Sequence, residues 1–456
     1  MIPGAGPGAA ELLPEAPVDD EAEATSAIEV LRNRPFLALW LAQLLTQVGG
    51  NMVLFGLTVR VFSLTGSTSA VSLLILTFLV PAVLLSAVAG VYVDRLDRRL
   101  ILIVTNLLRA VMFGLLFFIG DNLILILVLN AMVSTVTTFF APAEAAMIPI
   151  LVKRGQLLAA NGIFTLTLNA AFALGFALLG PLVVNLTSPQ VLVLVVAGCY
   201  LAAMALTITL PSVPPTVAPD APHGLAVAEA SHAVESTFGQ LREGISFIRA
   251  NRSISWSLLY LGITASLIGV LGVVGPAFAT QALGLSAKDF VVIVLPLGVG
   301  VVTGILLLNS YGKVLSRRRT IETGLILLGI FLAILSAAGP LTRFLQRVTS
   351  VSPIDVSSLV TLISISIVLA FLAGIAYASV AIPAQTQLQE DLPGEIRGRV
   401  FGVLNMLIST ASFLPIIIVG PIADLLSTTA VVFVVAVAIT ISGVLSAIYR
   451  HSPATT

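Results

Sequence analysis

Long uncharged stretches alternate with short polar clusters along the whole chain. Uncharged runs cover residues 35–59, 61–93, 122–143, 155–219, 253–287, 290–312, 323–342, 356–389, 400–423 and 425–449. A helix needs about 20 apolar residues to cross roughly 30 Å of hydrocarbon, and these runs meet that length repeatedly. The run 155–219 is long enough for two crossings, with a turn at Asn185-Leu-Thr-Ser-Pro-Gln190. Residues 100–120 form one more span, interrupted only by Arg109. The pattern predicts twelve transmembrane helices. A barrel would show alternating ten-residue strands instead, and an open sheet would leave its edge groups unpaired in lipid. The expected fold class is therefore an all-α polytopic membrane protein.

Charge sharpens this picture by fixing an orientation. Lys and Arg accumulate in short cytoplasmic loops, and 17 of the 22 fall on one side of the predicted spans. Four, Arg60, Lys288, Arg343 and Arg347, fall on the other, and Arg109 lies inside a span. Both termini are then cytoplasmic and the protein is a multi-pass protein of the cell membrane. The formal charge is zero, with 22 Lys and Arg against 22 Asp and Glu, but seven of the acids lie in the first 31 residues. That stretch has no Lys or Arg, so it is no basic-headed signal peptide; it reads as a disordered acidic tail over residues 1–34. The chain is 58% apolar and 10% charged, with a mean hydropathy of +1.09, against roughly 25% charged in soluble domains. Near-neutrality gives no basic stripe for nucleic acid. Cys199, the single cysteine, excludes a disulfide framework and a Cys-rich metal site; it is read as apolar filler. No cofactor is expected, and the chain is read as a monomer.

The spans fall into two sets. Pro211-Ser-Val-Pro-Pro-Thr-Val-Ala-Pro-Asp220 cannot be regular helix and marks a cytoplasmic linker, taken as 211–246. It separates a six-helix half over 35–210 from a second over 247–450, with a short tail at 451–456. The halves echo each other. Pro142-Ala143 precedes Gly180-Pro181 by 38 residues, and Pro383-Ala384 precedes Gly420-Pro421 by 37. Duplicated membrane halves are a mark of secondary transporters, whose substrate site lies near mid-membrane where the halves meet.

After the second span the chain reads Gly90-Val-Tyr-Val-Asp94-Arg95-Leu96-Asp97-Arg98-Arg99. This resembles the signature loop of the major facilitator superfamily, with Asp97 where the general pattern has Gly, a variant similar to the branch of macrolide and multidrug exporters. Asn33-Arg-Pro-Phe-Leu-Ala-Leu-Trp40-Leu-Ala-Gln43, Pro142-Ala-Glu-Ala-Ala-Met-Ile-Pro149 and Leu392-Pro-Gly-Glu-Ile-Arg397-Gly-Arg399-Val-Phe also resemble that branch. The resemblance implies the major facilitator fold of two six-helix halves and efflux of drugs by proton antiport. It also implies a cytoplasmic gate made by Gly90, Asp94, Arg95, Arg98 and Arg99. Physically, Gly90 would let a helix approach closely, Asp94 would cap another helix's N-terminus, and the arginines would pair with carboxylates of the other half.

Charges within a span cost roughly 2.5–3.5 kcal/mol on insertion scales, so each is a functional candidate. Arg109 lies halfway along the third span, either as a coupling charge or as an internal brace; the acid often found three residues earlier in related proteins is Asn106 here. Glu144 lies between Pro142 and Pro149, either as a proton-coupling carboxyl or as a boundary carboxylate paired with Lys153 or Arg154. Gln43, Gln47 and Asn51 fall at spacings of four, on one helical face, and are candidates to line the cavity; related exporters often have Asp where Asn51 stands. Gly175, Gly180 and Pro181 in the fifth span resemble the Gly-Pro motif of antiporters, and these residues, with their echo Gly420 and Pro421, equally suit helix packing.

No catalytic constellation is legible. His223, His232 and His451 lie in the linker and tail, and there is no Gly-x-x-x-x-Gly-Lys-Ser/Thr phosphate loop, so ion gradients rather than ATP should drive the protein. The favoured expectation is a proton-coupled exporter of amphipathic, cationic or neutral, small organic compounds. A dedicated exporter of one metabolite, such as a siderophore or lipid, or a uniporter is the alternative. A membrane enzyme lacks its catalytic residues, and a non-transporting receptor or scaffold is the third class.

Overall fold

The computed structural model describes residues 27–213, 252–311, 316–339, 341, 361–391 and 413–449. Residues 1–26 of the expected N-terminal tail, most of the expected linker, the three histidines, Arg343, Arg347, Arg397 and Arg399 lie outside the described residues; the end of the expected tail, Ala27–Leu31, is a short helix with Val30 buried. Every regular element among the described residues is helical. In chain order the long ones are α1 (Arg34–Thr65), α2 (Thr68–Asp94), α3 (Arg98–Phe118), α4 (Leu123–Leu151), α5 (Arg154–Leu186) and α6 (Pro189–Ile208). After residues 214–251 come α7 (Arg252–Gln281), α8 (Val291–Tyr311), α9 (Arg317–Ser336), α10 (Leu362–Asp391), α11 (Phe413–Leu425) and α12 (Thr428–Tyr449). Eleven are long and apolar enough to cross a membrane, and α11 is a shorter apolar helix. Leu84, Leu158 and Leu166 are 68%, 87% and 70% exposed, an outer surface suited to lipid rather than water.

Local signals explain where the helices start and stop. Asn33 accepts from the Phe36 N–H and Pro35 follows it, opening α1. Gly66, at φ 63°, closes α1 in a left-handed cap. Ser67, Asp97, Asn122 and Ser188 each cap the next helix with a side-chain oxygen. The expected turn at 185–190 falls between α5 and α6. One expected boundary is displaced. The charge at Arg60 marks a loop in the sequence, yet α1 runs on to Thr65 and Arg60 is 2% exposed. Its guanidinium donates to the carbonyls of Leu116, at 3.0 Å, and Gly120, at the end of α3. A cation at a helix C-terminus is favourable, so this charge stays inside.

α5 carries a π-helical turn over Ala173–Leu179. Pro181 has no N–H to give to a carbonyl one turn back, and the Gly180 N–H bonds Gly175 O, five residues back. The Gly-Pro motif therefore sits on a widened turn. A Cβ on Gly175 would lie 2.5 Å from Val48 O and 2.7 Å from Asn51 Cβ, so only glycine lets α5 lie this close to α1.

The two sets of helices meet at the end of the bundle opposite the arginine-rich loop. Phe55 of α1 stacks on Phe290, just before α8, with centroids 4.9 Å apart, and Phe176 of α5 meets both rings. Beside this aromatic plug, the Asp424 carboxylate of α11 accepts from the Thr68 and Ser69 N–H groups at 2.7 and 2.9 Å, and from the Ser67, Thr68 and Ser69 hydroxyls. It thus caps α2 from the other half. Ser72 Oγ donates to Ile416 O at 2.8 Å. A Cβ on Gly420 would collide with Ser72 Oγ and Thr68 O, so this glycine sets the closeness of α2 and α11.

Candidate functional site

A cavity of about 320 Å³ opens between α1, α2, α3, α4 and α6. Its polar groups are Thr46, Gln47 and Asn51 on α1, Arg109 on α3, Asn130, Thr137 and Glu144 on α4, and Tyr200 on α6. All come from the helices before residue 214. A second cavity, of about 270 Å³, shares Leu54, Ile75 and Leu79 with the first. It continues past Phe172 and Phe176 to Ile268, Gly272, Phe413 and Ile416 of the later helices, and every residue lining it is apolar or glycine. The combined space is polar on one wall and hydrocarbon-like on the other.

Arg109 is 2% exposed. Its guanidinium carbon lies 4.2 Å from the Phe140 ring centroid and 4.6 Å from that of Tyr200, a cation sandwiched between two π faces. It donates to Asn106 Oδ1 at 2.7 Å and to Thr105 O at 3.3 Å. Asn106 therefore orients the arginine as a neutral acceptor and does not neutralise it. Glu144 faces the same cavity at 7% exposure, and its Oε1 has no hydrogen-bond partner. No ion pair within 4.0 Å joins it to Arg109, Lys153 or Arg154. A buried polar atom without a partner is costly, so this oxygen is poised to take a proton or a donor from a cavity occupant.

The three amides expected on one face divide. Gln47 and Asn51 line the cavity, and Asn51 Nδ2 donates to Gln47 O at 2.8 Å. Gln43 lies one turn further along, 2% exposed, outside the cavity lining and with its Oε1 unpartnered. Three residues went unnoticed in the sequence. Asn130 donates to Leu74 O at 2.9 Å and Thr77 Oγ1 at 3.0 Å, tying α4 to α2 at the cavity wall. Tyr200 stacks on Phe113 and shields Arg109. Asp424 makes the far-end contact. Asn130 is one of few strongly polar residues in the run 122–143 and was visible there; Asp424 served only to separate two uncharged runs.

The arginine-rich loop makes these contacts among the described residues. Asp94, at the end of α2, is exposed and 3.7 Å from Arg98, the first residue of α3. Arg99 donates to Ile208 O, at the end of α6 in the same half, rather than to a carboxylate of the other half. No described atom lies within 4 Å of where a Gly90 Cβ would stand, so Gly90 permits no close helix approach among the described residues. Residues 392–412, which hold the stretch expected to open the eleventh span, lie outside them. Asp97 has a clear local role: it caps α3 through the Arg99 N–H at 2.9 Å and accepts from Ser212 Oγ and, at 3.4 Å, the Val213 N–H. Partial burial opposes its charge, but these donors outweigh that and hold the carboxyl below its ordinary value.

Residues 39–414 match the model of the family described as the Major Facilitator Superfamily. The chain is similar to the multidrug efflux pump Tap of Mycolicibacterium fortuitum, with 23% identity over 86% of this chain and 89% of that one. It is also similar to the uncharacterized MFS-type transporter YfiS of Bacillus subtilis (strain 168), with 24% identity over 84% and 86%. Among solved structures, the nucleoside transporter NupG superposes with a TM-score of 0.63 at 12% identity, covering 92% of this chain and 99% of that one. A bacterial homologue of the iron transporter ferroportin, in an inward-facing state, gives 0.62 at 13%, covering 93% and 100%.

Proposed function

The chain belongs to the major facilitator superfamily, a family of membrane transporters rather than enzymes, and from that premise we propose that it exports amphipathic organic compounds by proton antiport. The observation that carries this reading is Glu144. It is a buried carboxyl with an unpartnered oxygen, facing a cavity also lined by Arg109 and continuous with an apolar chamber. Such a space suits a molecule with a cationic or hydrogen-bonding end toward α1, α3 and α4 and an apolar body toward α7 and α11. Among the described residues, Arg109 and Tyr200 are the other titratable groups lining this cavity. Similarity to an efflux pump supports the outward direction.

In this mechanism the two halves rock about the cavity. The Phe55, Phe176 and Phe290 plug and the Asp424 cap hold the far end shut while Glu144 is loaded from the arginine-rich side. Opening the far end requires Asp424 to give up five donors from the other half. That side is extracellular, and both termini are cytoplasmic, because the basic loops lie opposite. The protein acts as a monomer in the cell membrane. The signature-loop residues Gly90, Asp94, Arg95, Arg98 and Arg99 serve the cytoplasmic gate in the states where the far end is open.

Proteoliposomes with an imposed pH gradient and a panel of amphipathic dyes test this. Wild-type protein should drive dye uphill and Glu144→Gln should not; dye movement indifferent to the gradient in both would overturn antiport. It would favour the uniporter reading, which the neutral Asn51 and Asn106 support.

A further inference from the structure

A large groove lies away from the central cavity. It measures about 750 Å³ and runs between α8 and α9, with α10 as its floor. Both walls approach that floor through glycine. A Cβ on Gly304 would lie 2.7 Å from Ala378 Cβ, and one on Gly324 would lie 3.0 Å from a Val380 methyl. The two helices thus press onto α10 and diverge from each other, leaving the groove open to the bilayer. Its rim residues Leu307 and Leu327 are 43% and 44% exposed.

The chemistry of the groove changes along its length. Leu308, Leu327, Phe331 and Leu372 make an apolar trough. At the end nearest the start of α9 the lining turns polar, with Ser316, Arg319 and Thr320. The neighbouring arginine, Arg318, is engaged inward, 3.0 Å from Glu322. Among the described residues no acid pairs with Arg319, which is exposed. A hydrocarbon trough headed by an uncommitted guanidinium, open to lipid, is complementary to one kind of molecule.

We propose that this groove is a binding site for an anionic phospholipid, with its phosphate on Arg319 and an acyl chain along α8, α9 and α10. Guanidinium matches phosphate oxygens with paired donors, and basic clefts between helices at the cytoplasmic face suit anionic head groups. The leaflet is the one beside the arginine-rich loops. This site is separate from the transport cavity and does not depend on which compound is carried.

Native mass spectrometry of the full, delipidated chain tests it, titrated with dioleoylphosphatidylglycerol or dioleoylphosphatidylcholine. The first bound lipid should favour phosphatidylglycerol about five-fold, the effect of one well-placed cation at a membrane surface. Arg319→Gln should erase the preference, Arg319→Lys should keep part of it, and excess glycerol phosphate should not compete because it lacks the chain. Leu307→Trp, which fills the groove, should weaken both lipids. An unchanged preference in Arg319→Gln with an unchanged melting temperature would overturn the proposal. So would displacement by glycerol phosphate, or a dimer mass in place of the lipid adduct.

Discussion

Two buried glutamates in this protein carry the same chemistry and have opposite surroundings. Glu322 on α9 is 3% exposed and has Arg318 one turn away at 3.0 Å, with Ser446 Oγ at 3.5 Å. Ser446 in turn bonds the Tyr260 hydroxyl at 2.6 Å, so α7, α9 and α12 are joined through one satisfied network. Glu144 has its arginine on a different helix, out of ion-pair range, and an empty hydrogen-bonding oxygen facing a cavity. Arg109 meanwhile spends its donors on Asn106 and Thr105 and its faces on Phe140 and Tyr200. A satisfied buried carboxylate braces helices. An unsatisfied one beside a cavity has an interaction left to give, and on that distinction we propose a structural role for Glu322 and a transport role for Glu144.

The strongest way to break the comparison is to neutralise each glutamate in turn. One charge moved through 100 mV supplies about 2.3 kcal/mol, enough for roughly a fifty-fold gradient of a neutral substrate. Glu144→Gln should reduce the sustained gradient toward unity in proteoliposomes while leaving the melting temperature unchanged. Glu322→Gln should do the reverse. It should lose about 1–3 kcal/mol of stability, the cost of stranding buried partners, and keep transport per folded molecule. If Glu322→Gln abolished coupling and Glu144→Gln only lowered the melting temperature, the assignment would be inverted.

Asp424 is a satisfied carboxylate whose partners lie across the interface between halves, so its contacts must break if the far end opens. Asp424→Asn removes the charge and turns one acceptor into a donor. It should shift the equilibrium toward the open far end by about ten-fold, or roughly 1.4 kcal/mol. With Cys199 replaced by Ala and Leu54→Cys as the reporter in the cavity, labelling by an impermeant maleimide from outside should accelerate accordingly. Equal labelling rates would show that the aromatic plug alone holds that end.

Much of the fold could be read directly from the chain, because lipid allows few solutions: apolar runs of the right length must be helices. Arg60 escaped that logic because a charge can remain in a span where a neighbouring helix ends beside it. Within the site, Arg109, Glu144, Gln47 and Asn51 stood out because polar groups are rare in these runs. Gln43 shows the limit. A spacing of four puts residues on one face, but the cavity covers only part of that face's length. Tyr200 and the Arg319 groove were invisible for another reason: each depends on which helices become neighbours, and no local pattern encodes that.

Asp97 is a third kind of carboxylate, satisfied at the membrane surface rather than within it. The signature loop has Gly at this position in the wider superfamily, and the structure shows what the acid adds: an N-cap for α3 and a tie to Ser212 and Val213 beyond α6. Asp97→Ala should cost about 1 kcal/mol at neutral pH, the usual worth of such a cap. Because the folded carboxyl titrates below its unfolded value, its contribution is present above the ordinary carboxylate range and fades as pH falls through the depressed one. Melting temperatures of the wild type and Asp97→Ala, measured from neutral to acid, should therefore converge at the acid end. A gap that persisted there would show that packing of the loop, and not the ionised oxygen, holds α3 to the end of α6.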